Sequence, residues 1–167
     1  MILHCSQKLA AKLAGVSATP LEETSPLGSW HGHLFTLERR QCLILCHDAS
    51  RYVLFLPGLR KADFVDLGTL FRPLYLATLA AFGAAPVQIK KAELALGPLA
   101  FDTVTDRSVQ GSIRIVQQEI KWMLAAQPLT PADPLALSCE FNNQRPASVH
   151  GKWLWPDTMM LETVARL

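Results

Sequence analysis

The chain has 167 residues, half of them hydrophobic and 18% charged, with a formal net charge of +2. That is enough apolar material for one domain with a packed core, and it excludes a disordered or polyelectrolyte chain. A charge this small identifies no electrostatic partner by itself, so any nucleic-acid surface has to come from local clustering.

Met1 to Cys5 reads as a short strand, and Ser6 as the N-cap of a helix carrying Leu9, Leu13 and Val16. The stretch lacks the long apolar core and cleavage site of a secretory signal. Ser17 to Gly28, with Pro20 and Pro26, is a loop. Three strands follow: Trp30 to Leu37, Gln41 to His47 and Arg51 to Leu56. The reversals are expected at Arg39-Arg40 and Ala49-Ser50, and Pro57-Gly58 is expected to end the run. The middle strand, CLILC, is apolar on both faces, as in a strand covered on both sides. Lys61 to Phe82 reads as helix, capped by Asp63 or Asp66, kinked at Pro73 and closed by Gly83. Val87 to Leu96 alternates partly, as a strand does.

Asp106 caps a helix reaching about Ala126, with Val109, Ile113, Val116, Ile120 and Met123 at helical spacing. Pro128, Pro131 and Pro134 mark a loop, Leu135 to Phe141 reads as a strand, and Trp153 to Trp155 as an extended segment. Asp157 caps a final helix with Met160, Leu161, Val164 and Leu167 on its apolar face. The expected fold is a single α+β domain over residues 1–167, a central antiparallel β-meander flanked by helices. No window is apolar for long enough to span a membrane. Four scattered cysteines without a CxxC point to free thiols and a cytoplasmic setting.

The segments HCSQKL, PLGSWHGHL, RRQC and LPGLRKADF resemble a family of bacterial domains of unknown function. The resemblance rests on His4 to Leu9, Pro26 to Leu34, Arg39 to Cys42 and Leu56 to Phe64. It brings no established chemistry, so no catalytic role can be carried over from it.

The densest polar chemistry lies in the meander. A turn at Arg39-Arg40 would place Leu37 opposite Cys42, Phe35 opposite Ile44 and His33 opposite Cys46, leaving His31, His33, Cys42 and Cys46 on one face. Cys42 and Cys46 are about 13 Å apart on an extended strand, too far for one ion. His31 and His33 with Cys46 and an outside ligand form the remaining metal set, and no metal or cofactor is expected. On an alternative register His47 and Tyr52 become neighbours beside Trp30 or Gly32. His31, His33 and His47 are the candidate acid-base residues of metal-free, toxin-like RNA cleavage. Trp30, Arg39, Arg40, Arg51 and Tyr52 are the candidate RNA contacts, by stacking and phosphate binding. The rival reading is non-enzymatic association, a homodimer through Trp153, Leu154, Trp155, Met159, Met160 and Leu167. Cys5, at the start of the first helix, could gain thiolate character from the helix dipole. There is no P-loop, dinucleotide fingerprint or GxSxG, so no nucleotide cofactor is implied.

Overall fold

The structure, a computed structural model, describes residues 1–126, 133–149 and 151–167. Among the described residues seven strands run in chain order: β1 (Ile2–Cys5), β2 (Trp30–Leu37), β3 (Arg40–His47), β4 (Val53–Leu59), β5 (Ala100–Asp102), β6 (Ala147–Val149) and β7 (Lys152–Leu154). The helices are α1 (Gln7–Ala10), α2 (Gly68–Ala81), α3 (Pro86–Leu96), α4 (Arg107–Ala126), α5 (Pro134–Asn143) and α6 (Pro156–Ala165), with a 3-10 turn at Lys61–Phe64. β2, β3 and β4 form the antiparallel meander. β1 joins its β2 edge in parallel and β5 adds a parallel outer strand, giving the order β4-β3-β2-β1-β5. β6 and β7 make a separate hairpin. The fold is α+β, a meander flanked by helices, extended to a mixed sheet. No described helix is long and apolar enough to cross a membrane.

Alternation along the strands sorts the core into two layers. Leu3, Trp30, Leu34, Leu43, Leu45, Leu54 and Leu56 pack with Phe71, Tyr75 and Leu79 of α2, Ala92 and Leu96 of α3, and Met160 and Val164 of α6. Phe35, Cys42, Ile44, Cys46, Val53 and Phe55 pack on the other face against Val109, Ile113, Val116 and Ile120 of α4 and Phe141 of α5. β3 is buried on both faces from Cys42 to His47, as its apolar run requires.

The β2–β3 turn differs from the sequence reading. Glu38 and Arg39 both take positive φ, 47° and 64°, the pair that a two-residue type I′ turn needs. The turn therefore sits one residue earlier, and Leu37 faces Arg40, Phe35 faces Cys42, His33 faces Ile44 and His31 faces Cys46. The pairing is displaced by two residues. A displacement by two preserves side-chain parity, so His31, His33, Cys42 and Cys46 still share a face. Pro57-Gly58 does not end β4. Those residues lie inside it, where the pairing shifts between Gln41 and Leu43 and Gly58 takes a φ of 71°.

Two further segments change type. Val87 to Leu96 is helical because Pro86 starts α3 at its first turn, and its Lys-, Glu-, Ala- and Leu-rich sequence favours helix. Leu135 to Phe141 lies in α5, which opens on Pro134 and is capped by Asp133, whose carboxylate accepts the Leu135 N–H. α5 then closes the exposed edge of β4. Ser138 Oγ accepts the Phe55 N–H at 3.0 Å, while Asn142 accepts the Val53 N–H and donates to the Val53 carbonyl, both at 2.7 Å. An edge strand is thereby satisfied by side chains instead of a sixth strand. The first helix is shorter than expected; Val16 lies beyond it and forms a bridge to Phe101. Asp106 caps α4 as expected, accepting the Ser108 and Val109 N–H groups. Asp157 falls in the first turn of α6, with Trp155 at the cap position. Pro128 and Pro131 lie outside the described residues.

Candidate functional site: a histidine and aspartate row across the sheet

In parallel register β1 sets His4 beside His31, and β5 sets Asp102 beside His4. The face of the sheet that carries α4 over β2 and β3 thus holds the row Asp102, His4, His31. Asp48, just past β3, completes it. His4 Nδ1 lies 2.6 Å from Asp102 Oδ1 and His31 Nδ1 lies 2.6 Å from Asp48 Oδ1. The two imidazole centroids are 4.8 Å apart.

Proton positions follow from the partners. Asp102 also accepts the Leu21 and Val104 N–H groups. Burial works to raise its pKa, but the His4 bond and the two backbone donors together hold it below the ordinary carboxylate range. An ionised carboxylate only accepts, so His4 carries its proton on Nδ1. His31 Nε2 accepts the Asp106 N–H at 3.1 Å, so His31 also carries its proton on Nδ1 and donates it to Asp48. Both nitrogens of His31 are therefore used. His4 Nε2 is different: it faces Asp48 Oδ2 at 3.9 Å, too far for a hydrogen bond. Two acceptors facing each other across that gap suit a donor placed between them. The Asp48 side chain is 30% exposed and that of His4 10%.

The other candidate residues are distributed differently. His47 is buried, its Nε2 2.6 Å from the Leu27 carbonyl and its Nδ1 bonded to the Ser50 hydroxyl and N–H. It is a closed structural group. Burial, ahead of every other influence, lowers its pKa. Trp30 and Tyr52 are wholly buried in the aromatic cluster with Phe71 and Tyr75. A ring inside the core presents no face to a base, so the stacking role read for them is withdrawn. Arg51 is buried as well, with φ 58°, and its guanidinium donates to Ser108 Oγ. It ties the β3–β4 turn to α4 instead of facing solution. Arg39 and Arg40 are exposed at the hairpin tip, and Arg60 and Lys61 are exposed beyond the end of β4, which pairs there with Gln41.

His33 is half-buried, two residues along β2 from His31 and stacked on Phe35. Its pKa is lowered first by burial and then by Lys8, Arg114 and Lys121. Those three exposed cations act on one histidine from α1 and α4. They form a basic margin beside the row that sequence order did not reveal.

Burial disfavours the thiolate at all four cysteines. Burial drives Cys5 and Cys46 up to about 12, and Cys42 and Cys139 are also raised. This corrects the helix-dipole reading of Cys5, whose thiol donates to the Leu3 carbonyl. Among the described residues no three His, Cys, Asp or Glu side chains stand where they could hold one metal ion. At the C-terminal end Met160 and Val164 are core residues, while Trp153 and Trp155 are exposed.

Sequence reasoning singled out His31 and missed His4, Asp48 and Asp102 as its partners. The available signal was a histidine in each of two apolar strands. No curated protein matches the chain. A family model described as "Domain of unknown function (DUF6933)" matches residues 2–159, and the chain belongs to that family.

Proposed function

We propose that the chain is an RNA-facing module and that the histidine row gives it metal-free cleavage chemistry, with His4 as the general base. The observation that carries this reading is the position of His4. Its Nδ1–H is held by Asp102, and its Nε2 faces the partly exposed Asp48 across 3.9 Å without closing a hydrogen bond. A base fixed in one tautomer with its second nitrogen unbonded is the arrangement that takes a proton from a hydroxyl. The basic margin of Lys8, Arg114 and Lys121 beside His33 supplies the charge that a phosphodiester needs.

In this reading the ribose 2′-hydroxyl gives its proton to His4 Nε2 as the 2′-oxygen attacks phosphorus. The bond from phosphorus to the 5′-oxygen breaks, that oxygen takes a proton from water, and a 2′,3′-cyclic phosphate is left. The imidazolium is stabilised by Asp102 and Asp48 until it returns its proton to solvent. His31 is a positioning residue that fixes Asp48. His33 marks the phosphate-binding margin, and Arg39 and Arg40 extend the positive surface at the hairpin tip.

The test uses single-stranded RNA and a matching strand with 2′-deoxyribose throughout. Binding should fall steeply with salt, and the double variant Arg114→Glu/Lys121→Glu should weaken it and flatten the slope. Cleavage should require the 2′-hydroxyl and vanish in His4→Gln. Salt-independent or absent binding removes the RNA reading; cleavage retained in a folded His4→Gln removes the base.

A further inference from the structure

The flank of α4 away from the basic margin is apolar and open. Trp122 is 67% exposed, Ile115 53%, and Trp153 of the neighbouring hairpin 75%. Ile115 and Trp153 line a recess of about 520 Å³ together with Ser108, Gly111 and Ser112. Trp122 borders the adjoining cleft, and Arg145 lies in the walls of both. On a helix Ser108, Gly111, Ser112, Ile115, Glu119 and Trp122 fall on one face.

We infer that this face binds a second copy of the chain, as a two-fold dimer in which the α4 helices cross antiparallel at Ile115. Projection and recess lie on the same face at equal distances from Ile115: Trp122 follows it by as many residues as Ser108 precedes it. An antiparallel pair centred there sets each Trp122 over the other copy's recess, against its Trp153. Gly111 and Ser112 let the helices approach closely. Such self-complementarity is the condition for a closed two-fold contact.

Area favours a protein contact, and charge disfavours a nucleic acid. Ile115, Trp122 and Trp153 leave on the order of 400 Å² of apolar surface in water per copy. That is about half of what each partner buries in a standard interface, and the recess walls lie within the same contact. Glu119 and Arg145 on this face pair with each other at 3.0 Å, and Glu140 lines the adjoining cleft beside Trp122. Among the described residues lining the two recesses the single cation, Arg145, is thus engaged and the balance is negative, which disfavours an RNA strand there.

Sedimentation velocity over a concentration series tests the dimer. The wild-type chain should be dimeric at micromolar concentration, and Trp122→Glu and Gly111→Trp should each be monomeric with unchanged circular dichroism. A Cβ at Gly111 meets no atom within 4 Å, so the new side chain leaves the backbone into open space on the recess side. In a Cys139→Ser background, Ile115→Cys should cross-link to itself with a short bis-maleimide, because the two copies of that residue meet at the symmetry axis. A wild-type chain that stays monomeric into the high-micromolar range overturns the proposal. So does a dimer that survives both blocking substitutions.

Discussion

His47 and His4 are both nearly buried, both at strand ends and both hydrogen-bonded, yet their surroundings prepare them for opposite tasks. His47 has a carbonyl on one nitrogen and Ser50 on the other. Every polar valence is closed inside the protein, and the ring packs against Trp30. His4 has one nitrogen closed by Asp102 and the other 3.9 Å from the partly exposed Asp48, beyond hydrogen-bond reach. Burial alone does not separate a structural histidine from a reactive one. The separation lies in whether the second nitrogen is already satisfied.

The largest effect that would break this comparison is on cleavage. His4→Gln should lower the RNA cleavage rate on the order of 10²- to 10⁴-fold, the usual worth of a positioned general base. Thermal melting run alongside should show a folded protein. Next comes stability: His47→Ala leaves the Leu27 carbonyl and Ser50 unpaired and opens a cavity beside Trp30. It should cost about 2–4 kcal/mol in urea unfolding. Asn142→Ala, which strips the cap from the β4 edge, should cost about 1–3 kcal/mol in the same assay.

The acid limb of stability sharpens the contrast further. His47 and His33 have pKa values below 6.5, so the unfolded chain binds protons there before the folded chain does. Their contribution is complete above 6.5 and is lost as the pH falls below it. Glu23 lies below 4.5 and Asp102 and Asp106 below 3.8, so a second loss should begin under those values as they protonate. Urea midpoints across a pH series should therefore descend in two steps. The smallest expected effect is Asp48→Asn. Stability should change by less than about 1 kcal/mol because the side chain is partly exposed, while cleavage falls clearly.

The meander was legible because alternation and apolar runs carry it, and the shared face of His31, His33, Cys42 and Cys46 survived an error in the turn because parity did. The turn itself was not legible: Glu38-Arg39 adopts positive φ without the Asn-Gly pair that announces it. α3 and α5 were missed where short amphipathic stretches imitate strands, although Pro86 and the pair Asp133-Pro134 were helix-start signals. The site was half legible. His31 stands in an obvious strand, but its neighbour His4 arrives through a parallel pairing that no local pattern encodes, and Asp102 comes from a distant strand of three residues. Trp30 and Tyr52 misled for the reverse reason, since an aromatic ring in a strand reads the same whether it is a stacking platform or core.

The most direct measurement is a long-range proton–nitrogen correlation spectrum of the histidine rings, recorded with and without a non-cleavable 2′-deoxy oligonucleotide. His4 and His31 should carry their protons on Nδ1 and His47 on Nε2, and the oligonucleotide should shift His4 Nε2 while leaving His47 in place. A proton on His4 Nε2 in the free protein, or a His4 signal as indifferent to the oligonucleotide as that of His47, would contradict the assignment of His4 as the base.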